Sequence, residues 1–237
     1  MPAQVDKPVL PPVLYRYRGL REDDQDCLAR EIDAIRNQTL YCSRYKALND
    51  PMEGFFEPSL RFQQDTAFSK AARRMVFDAK QDIGICCFSD TYDNELMWTH
   101  YARNYTGICV GYRTKELIEG LSDRVHLVRV AYDSTPPKLG KSDWNAYLMA
   151  IKILSHKKAN WIYEREWRLL ADIGPLRIES ARCIVELRLG SRLSPQHREL
   201  LLEAFRDSGI KISTMTVNDY THRWRNERPR PRRRAAA

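Results

Sequence analysis

Along some stretches of the chain apolar and polar residues alternate, and along others apolar residues recur at three- and four-residue steps; these are the signatures of strands and helices. Val13–Arg18 alternates, with Leu14, Arg16 and Arg18 on one side and Val13, Tyr15 and Tyr17 on the other, and Gly19 ends it. From 23 to 37, Cys27, Leu28, Ile32 and Ile35 recur at helical steps behind an acidic start, which predicts a helix. A strand over 39–43 runs into a polar loop carrying Asn49-Asp50-Pro51, a turn signal. A second helix is predicted over 66–80. Ile83–Ser89 is almost wholly apolar, the pattern of a central strand covered on both faces. A short helix over 94–103 and strands over 107–112 and 125–132 follow.

Ser142 reads as the N-cap of a helix whose stripe, Trp144, Tyr147, Leu148, Ile151 and Leu154, continues to about Lys158. The remaining predicted elements are strands over 164–170 and 183–189, a helix from Ser194-Pro195 to about Asp207, and a closing strand over 210–217. The fold class is therefore α+β, a mostly antiparallel, irregular sheet of seven or eight strands flanked by four or five helices. No βαβ rhythm and no glycine-rich phosphate loop is present.

The densest chemistry lies in Lys157-Lys158-Ala159-Asn160-Trp161-Ile162-Tyr163-Glu164-Arg165-Glu166-Trp167-Arg168. As a strand, 164–170 puts Glu164, Glu166 and Arg168 on one face and Arg165, Trp167 and Leu169 on the other. Two like charges on one face repel. Arg168 or a bound ligand is expected to offset that repulsion.

Composition changes the picture at one end. The formal charge of the 237 residues is +8, and 223–237 holds seven arginines and one glutamate, so a near-neutral domain (1–222) precedes a basic tail. Proline interruption and clustered charge predict a disordered tail, able to add non-specific affinity for nucleic acid. The six cysteines show no C-x-x-C spacing and the five histidines are scattered, so buried free thiols are expected and no metal is assigned. No apolar run is long enough to cross a bilayer, and residues 1–8 lack the pattern of a secretory signal. A cytoplasmic protein without membrane contact is the expectation.

Several segments together resemble the DUF2971 family of uncharacterised bacterial proteins. They are Leu14-Tyr15-Arg16-Tyr17; Leu40-Tyr41-Cys42-Ser43 with Asn49-Asp50-Pro51-Met52-Glu53; Cys87-Phe88-Ser89 with Met97-Trp98-Thr99-His100-Tyr101-Ala102 and Gly107; and 161–168. A more distant resemblance is to ADP-ribosyltransferases, which carry Arg or His on an early strand, Ser or Tyr on a middle one and Glu, often as Glu-x-Glu, on a late one. Here Arg16, then Ser43 and Tyr45, then Glu164-Arg165-Glu166 stand in that order.

This second resemblance implies an ADP-ribosyltransferase-like fold and an NAD-dependent ADP-ribosyltransferase acting on a nucleic acid or protein, in a toxin or phage-defence role. It implies that Glu166 stabilises the oxocarbenium-like transition state and that Glu164 positions or deprotonates the acceptor. Arg16 would hold pyrophosphate or the adenosine ribose, Trp98 or Tyr101 would stack on nicotinamide, and Ser43, Tyr45 and Asn49 would complete the NAD site.

Two other functions fit the same residues. One is a non-catalytic module binding nucleic acid or protein through an aromatic-rich cleft and the tail. The other is a Mg-dependent nuclease or phosphoesterase using Asp50, Glu53, Asp90, Glu164 and Glu166, with Lys158 or Arg168 on phosphate.

Overall fold

The structure, a computed structural model, describes residues 9–21, 23–59, 63, 66–139, 145–180 and 182–227. The apolar run forms β4 (Ile83–Ser89), which pairs antiparallel along its whole length with β10 (Glu166–Asp172), from Ile83↔Asp172 to Ser89↔Glu166. The other edge of β4 is divided between two strands. β2 (Thr39–Arg44) pairs with it at Arg44↔Gly84 and Ser43↔Ile85, and β1 (Val13–Arg18) meets it only at Tyr15↔Ser89. Between those contacts Cys86, Cys87 and Phe88 have no ladder partner on that edge among the described residues, so β1 and β2 splay apart and leave a gap in the sheet.

Beyond β1 the sheet continues through β5 (Ile108–Arg113), β12 (Ile184–Leu189), β13 (Lys211–Asn218) and β14 (Thr221–Asn226). β11 (Gly174–Arg177) borders β2, and β6 (His126–Arg129) borders β10. Every pairing within this ten-stranded sheet is antiparallel except β12 with β13. The molecule is thus a mixed α+β fold on a mostly antiparallel sheet. Gly84 sits where β2 and β10 both close on β4: a Cβ there would lie 2.7 Å from the Asp172 carbonyl oxygen and 2.8 Å from Cys42 Cβ, space that only glycine leaves.

Strand alternation sorts the core onto two faces. Leu14, Cys86, Phe88, Trp167 and Leu169 pack with Leu28 and Ile35 of α1 (Gln25–Arg36). On the opposite face Ile83, Ile85 and Leu170 meet Ala150 and Leu154 of α5 (Ala146–Leu154), against which α2 (Ala67–Asp82) packs. Tyr15 and Tyr17 meet Met97 and Trp98 of α3 (Glu95–His100). Ser194 caps α6 (Pro195–Ala204) by accepting the His197 N–H at 3.2 Å, as the sequence predicts.

The structure departs from expectation where local backbone bonds override periodicity. The strand expected over 125–132 breaks at Val130, whose N–H turns to the Glu166 carbonyl at 3.0 Å; β7 (Ala131–Asp133) then pairs with β9 (His156–Lys158). The helix expected to reach Lys158 ends at Leu154 because 156–158 is taken by that pairing. Its expected cap, Ser142, and Trp144 lie outside the described residues; Asn145 caps α5, accepting from the Tyr147 and Leu148 N–H groups at 2.9 and 3.2 Å. α4 (Thr114–Glu119), β11 and β14 were not anticipated. Residues 223–226, counted with the basic tail from sequence, belong to β14, and 228–237 lie outside the described residues. All six cysteines are free. Among the described residues no helix is long and apolar enough to cross a membrane.

Candidate functional site

The gap between β1 and β2 opens into a cavity of about 210 Å³. Arg16 reaches it from β1, Ser43 from β2, Asn49 from the loop after β2, Tyr101 from the end of α3, and Glu164 and Glu166 from the turn that leads into β10 and its first residue. Six of the eight residues singled out in the sequence therefore line one cleft. Its floor is the stretch of β4 without a second strand partner, including Cys86, Cys87 and Phe88.

The two remaining candidates lie elsewhere. Trp98 is 0 % exposed and packs in an aromatic cluster, its centroid 5.3 Å from Tyr17 and 5.7 Å from Trp224, with its indole N–H donated to the Tyr92 carbonyl at 2.8 Å. It is core, not a stacking surface. Tyr45 is also buried; its hydroxyl accepts from Gln81 Nε2 at 2.9 Å and its ring faces Lys80 Nζ at 5.1 Å. Both aromatics are recruited by packing, the more frequent fate of large rings near a helix.

The glutamates meet in a way strand periodicity does not describe. Ala159–Glu164 is a 3₁₀ turn and Arg165 takes a left-handed conformation (φ 47°), so β10 starts only at Glu166. Both carboxylates nevertheless converge on Lys157, whose Nζ donates to Glu164 Oε2 at 2.5 Å and to Glu166 Oε2 at 3.4 Å. Trp161 covers that ammonium at 4.8 Å from its ring centroid. Tyr101 donates its hydroxyl to Glu164 Oε1. Ser89 Oγ donates to the Glu164 carbonyl at 2.6 Å, and the Glu166 N–H donates to Tyr132 Oη at 2.8 Å, which fixes the backbone on both sides of Arg165.

Arg168, 0 % exposed, completes the network. Its Nε and Nη2 donate to the two oxygens of Glu166 at 2.8 and 3.0 Å, and its Nη1 donates to Glu53 Oε1 at 2.6 Å. The partners of the glutamates are Lys157 and Arg168, while Arg16 Nη2 reaches across the gap to the Tyr41 carbonyl at 3.5 Å. Strand alternation explains this, because Arg16 shares a side with Leu14, whose cluster lies opposite the face that carries Glu166 and Arg168.

The electrostatics separate the two carboxylates. Burial alone would push Glu166 up, but Arg168 and then Lys157 outweigh it and bring its pKa down to about 2. Burial raises Glu164; Lys157 pulls it back and Glu166 pushes it up again, and the net shift is upward. Lys157 is lowered by burial but more strongly raised by Glu166 and Glu164, so it stays protonated at neutral pH. Burial and the Glu164 charge raise Tyr101, which remains a donor. Glu166 is thus a fixed anion saturated with donors, and Glu164 is the carboxylate whose charge responds to its surroundings.

Lys157 is the site residue that the sequence reading missed. Its signal was weak: a lysine directly after an apolar helical stripe, four residues before Trp161 and seven before Glu164. The oxygen set proposed for magnesium is not assembled. Glu53 and Glu166 are both held by Arg168, Asp90 pairs with Arg165 at 2.5 Å, and the described residues contain no group of three or more Asp, Glu, His or Cys side chains able to hold a metal ion.

No curated protein and no solved structure matches the chain, so the comparisons lend no support to the ADP-ribosyltransferase resemblance. Residues 97–169, which include Tyr101, Lys157, Glu164, Glu166 and Arg168, match the family described as "Protein of unknown function (DUF2971)", which supports the family resemblance read from the sequence.

Proposed function

We propose that the cleft between β1 and β2 binds NAD as a substrate and that the chain transfers its ADP-ribosyl group to a nucleic acid or protein. The observation carrying this reading is the convergence of Arg16, Ser43, Asn49, Tyr101, Glu164 and Glu166, from five separate segments, on one cavity. The fit is partial in size. At about 210 Å³ the cavity falls below the roughly 300–1,000 Å³ of drug-sized sites, so it suits the nicotinamide–ribose half, with the rest of the molecule at the open mouth near Arg16 and Tyr41.

In this reading the C–N bond between ribose and nicotinamide breaks, and nicotinamide leaves with the bonding electron pair. Positive charge develops on the ribose and is stabilised by the nearby carboxylates. An acceptor hydroxyl or amine attacks the anomeric carbon and yields its proton to a carboxylate. The assignment of roles follows the one the resemblance implies, with Glu166 as the fixed charge and Glu164 as the proton acceptor. Glu166 is fully engaged by Arg168 and Lys157, whereas among the described residues the Glu164 carboxylate accepts from Tyr101 and Lys157 and has a raised pKa, which suits a proton acceptor. The arginine-rich residues 228–237 are the proposed means of recruiting a nucleic-acid acceptor.

The test is incubation of purified protein with adenylate-labelled NAD and a panel of DNA, RNA and cell lysate, beside Glu164→Gln. Nicotinamide release or label transfer that the variant loses is the expected result. Absence of NAD binding at millimolar concentration would overturn the proposal. Binding without turnover would overturn its catalytic part.

A further inference from the structure

Lys157 borders a second cavity, about 240 Å³, that opens between the 50–55 turn and the 133–137 loop. Three carboxylates line it, Asp50, Glu53 and Asp133. Asp50 is tied to its own turn, its Oδ1 accepting the Met52 N–H at 2.9 Å. Asp133 Oδ1 accepts from the Thr135 N–H at 3.0 Å, the Thr135 hydroxyl at 3.1 Å and the Ser134 hydroxyl at 3.4 Å. Glu53 is different. It is 7 % exposed, one oxygen is held by Arg168, and the other, Oε2, is buried with no hydrogen-bond partner among the described residues.

An ionised carboxylate oxygen buried without a donor is costly, and native structures rarely leave one so. The cationic groups around the cavity do not supply the donor. Lys157 Nζ is engaged by Glu164 and Glu166, Lys158 is exposed, and burial lowers the pKa of His156, which keeps it neutral at pH 7. Met52 and Phe55, large apolar side chains that are 53 % and 66 % exposed, stand among the lining residues with Pro136 and Pro137. Apolar walls around an acidic floor suit one kind of ligand: a positive hydrogen-bond donor on an aliphatic stem, with the Phe55 ring attractive to the cation.

We propose that this cavity is a binding site for a guanidinium or primary ammonium group on an alkyl chain, such as an arginine or lysine side chain, that donates to Glu53. It is a site separate from the β1–β2 cleft and stands whether or not the cleft turns over NAD. The ion-paired chain Glu53–Arg168–Glu166–Lys157 connects the two.

The experiment titrates the full-length protein with agmatine, cadaverine and the uncharged N-butylurea, followed by NMR shift changes and calorimetry. Saturable binding of at least one cation at or below millimolar concentration, with none of N-butylurea, is expected. Asp133→Asn and Phe55→Ala, both at exposed positions, should weaken it about three- to tenfold, and Glu53→Gln, checked for folding by circular dichroism, should abolish it. Arg16→Ala should leave it unchanged. No saturable cation binding, equal binding of N-butylurea, indifference to both exposed-site variants, or loss in Arg16→Ala would each overturn the proposal.

Discussion

Arg168 grips Glu166 by two parallel hydrogen bonds, Nε to Oε1 at 2.8 Å and Nη2 to Oε2 at 3.0 Å, in a part of the core where the arginine has no exposed surface. Such a fork is among the strong hydrogen-bonded pairings of a carboxylate, and it depends on the planarity that lysine lacks. Residues two apart on one strand share a face, so β10 itself sets the geometry. The repulsion expected between Glu164 and Glu166 is offset inside the chain by Arg168 and Lys157.

Removing that arginine strands two buried carboxylates, Glu166 and Glu53. Arg168→Met is expected to cost about 3–5 kcal/mol of unfolding free energy. Adding Glu166→Gln to it should recover part of the loss, because the neutral amide no longer needs a cation. A double-mutant cycle by urea denaturation measures this, and strict additivity would show that the two side chains do not act as a pair.

The opposite shifts of the two glutamates give stability a two-signed dependence on pH. Glu166 is depressed from 4.5 to about 2, so its contribution is present above pH 4.5 and is lost as the pH falls toward 2. Glu164 is raised, so its contribution is present below pH 4.5 and is lost as the pH rises through its folded value. Stability is therefore expected to rise on mild acidification from neutrality and then to drop steeply. Glu164→Gln should remove the rise and Glu166→Gln the steep drop, as read from urea midpoints between pH 2 and pH 8. Because Glu166 helps to raise Glu164, Glu166→Gln should also bring the Glu164 pKa down.

Much of this arrangement was legible in the sequence, and the illegible parts have physical causes. Arg16, Ser43 and Glu166 sit on strands that alternation or apolar runs identify, and those strands fall close to their expected bounds. The placement of Glu164 was not legible, because a non-glycine left-handed residue at Arg165 has no sequence signature, and the ion pair that accompanies it is to Asp90, far away in the chain. β14 was missed because its outward positions are Thr221, Arg223 and Arg225, and arginine on alternate positions reads as charge before it reads as a strand. Trp98 and Tyr45 were over-read: composition cannot distinguish an aromatic facing a cleft from one facing the core beside it.

If Glu164 is the reacting carboxylate, its hydrogen bond from Tyr101 tunes it. That bond holds the Glu164 pKa lower than burial alone would set it. Tyr101→Phe should therefore move the acid limb of the kcat/KM profile for NAD cleavage to higher pH and reduce the neutral-pH rate about ten- to a hundredfold, the usual cost of losing a hydrogen bond to a charged group. A profile that falls in amplitude without moving would place Tyr101 on the substrate instead.

Trp98 gives the complementary case, a residue near the cleft whose loss should be felt in folding alone. Its ring fills the space among Tyr17, Tyr105 and Trp224, and its indole nitrogen is satisfied by the Tyr92 carbonyl. Trp98→Ala opens a large void and leaves that carbonyl without its donor, which is expected to cost about 3–5 kcal/mol. Met97, the preceding residue of α3, does line the cleft, so a collapse of the aromatic cluster would also disturb the site indirectly. Trp98→Phe separates the two effects: it keeps most of the packing and should cost less. Measured at a temperature where both variants are fully folded, the NAD dissociation constant of Trp98→Phe should stay within about threefold of the parent, a difference below 1 kcal/mol. A tenfold loss in folded Trp98→Phe would mean that the ring contacts the ligand, and that the cleft opens further toward α3 than its present lining implies.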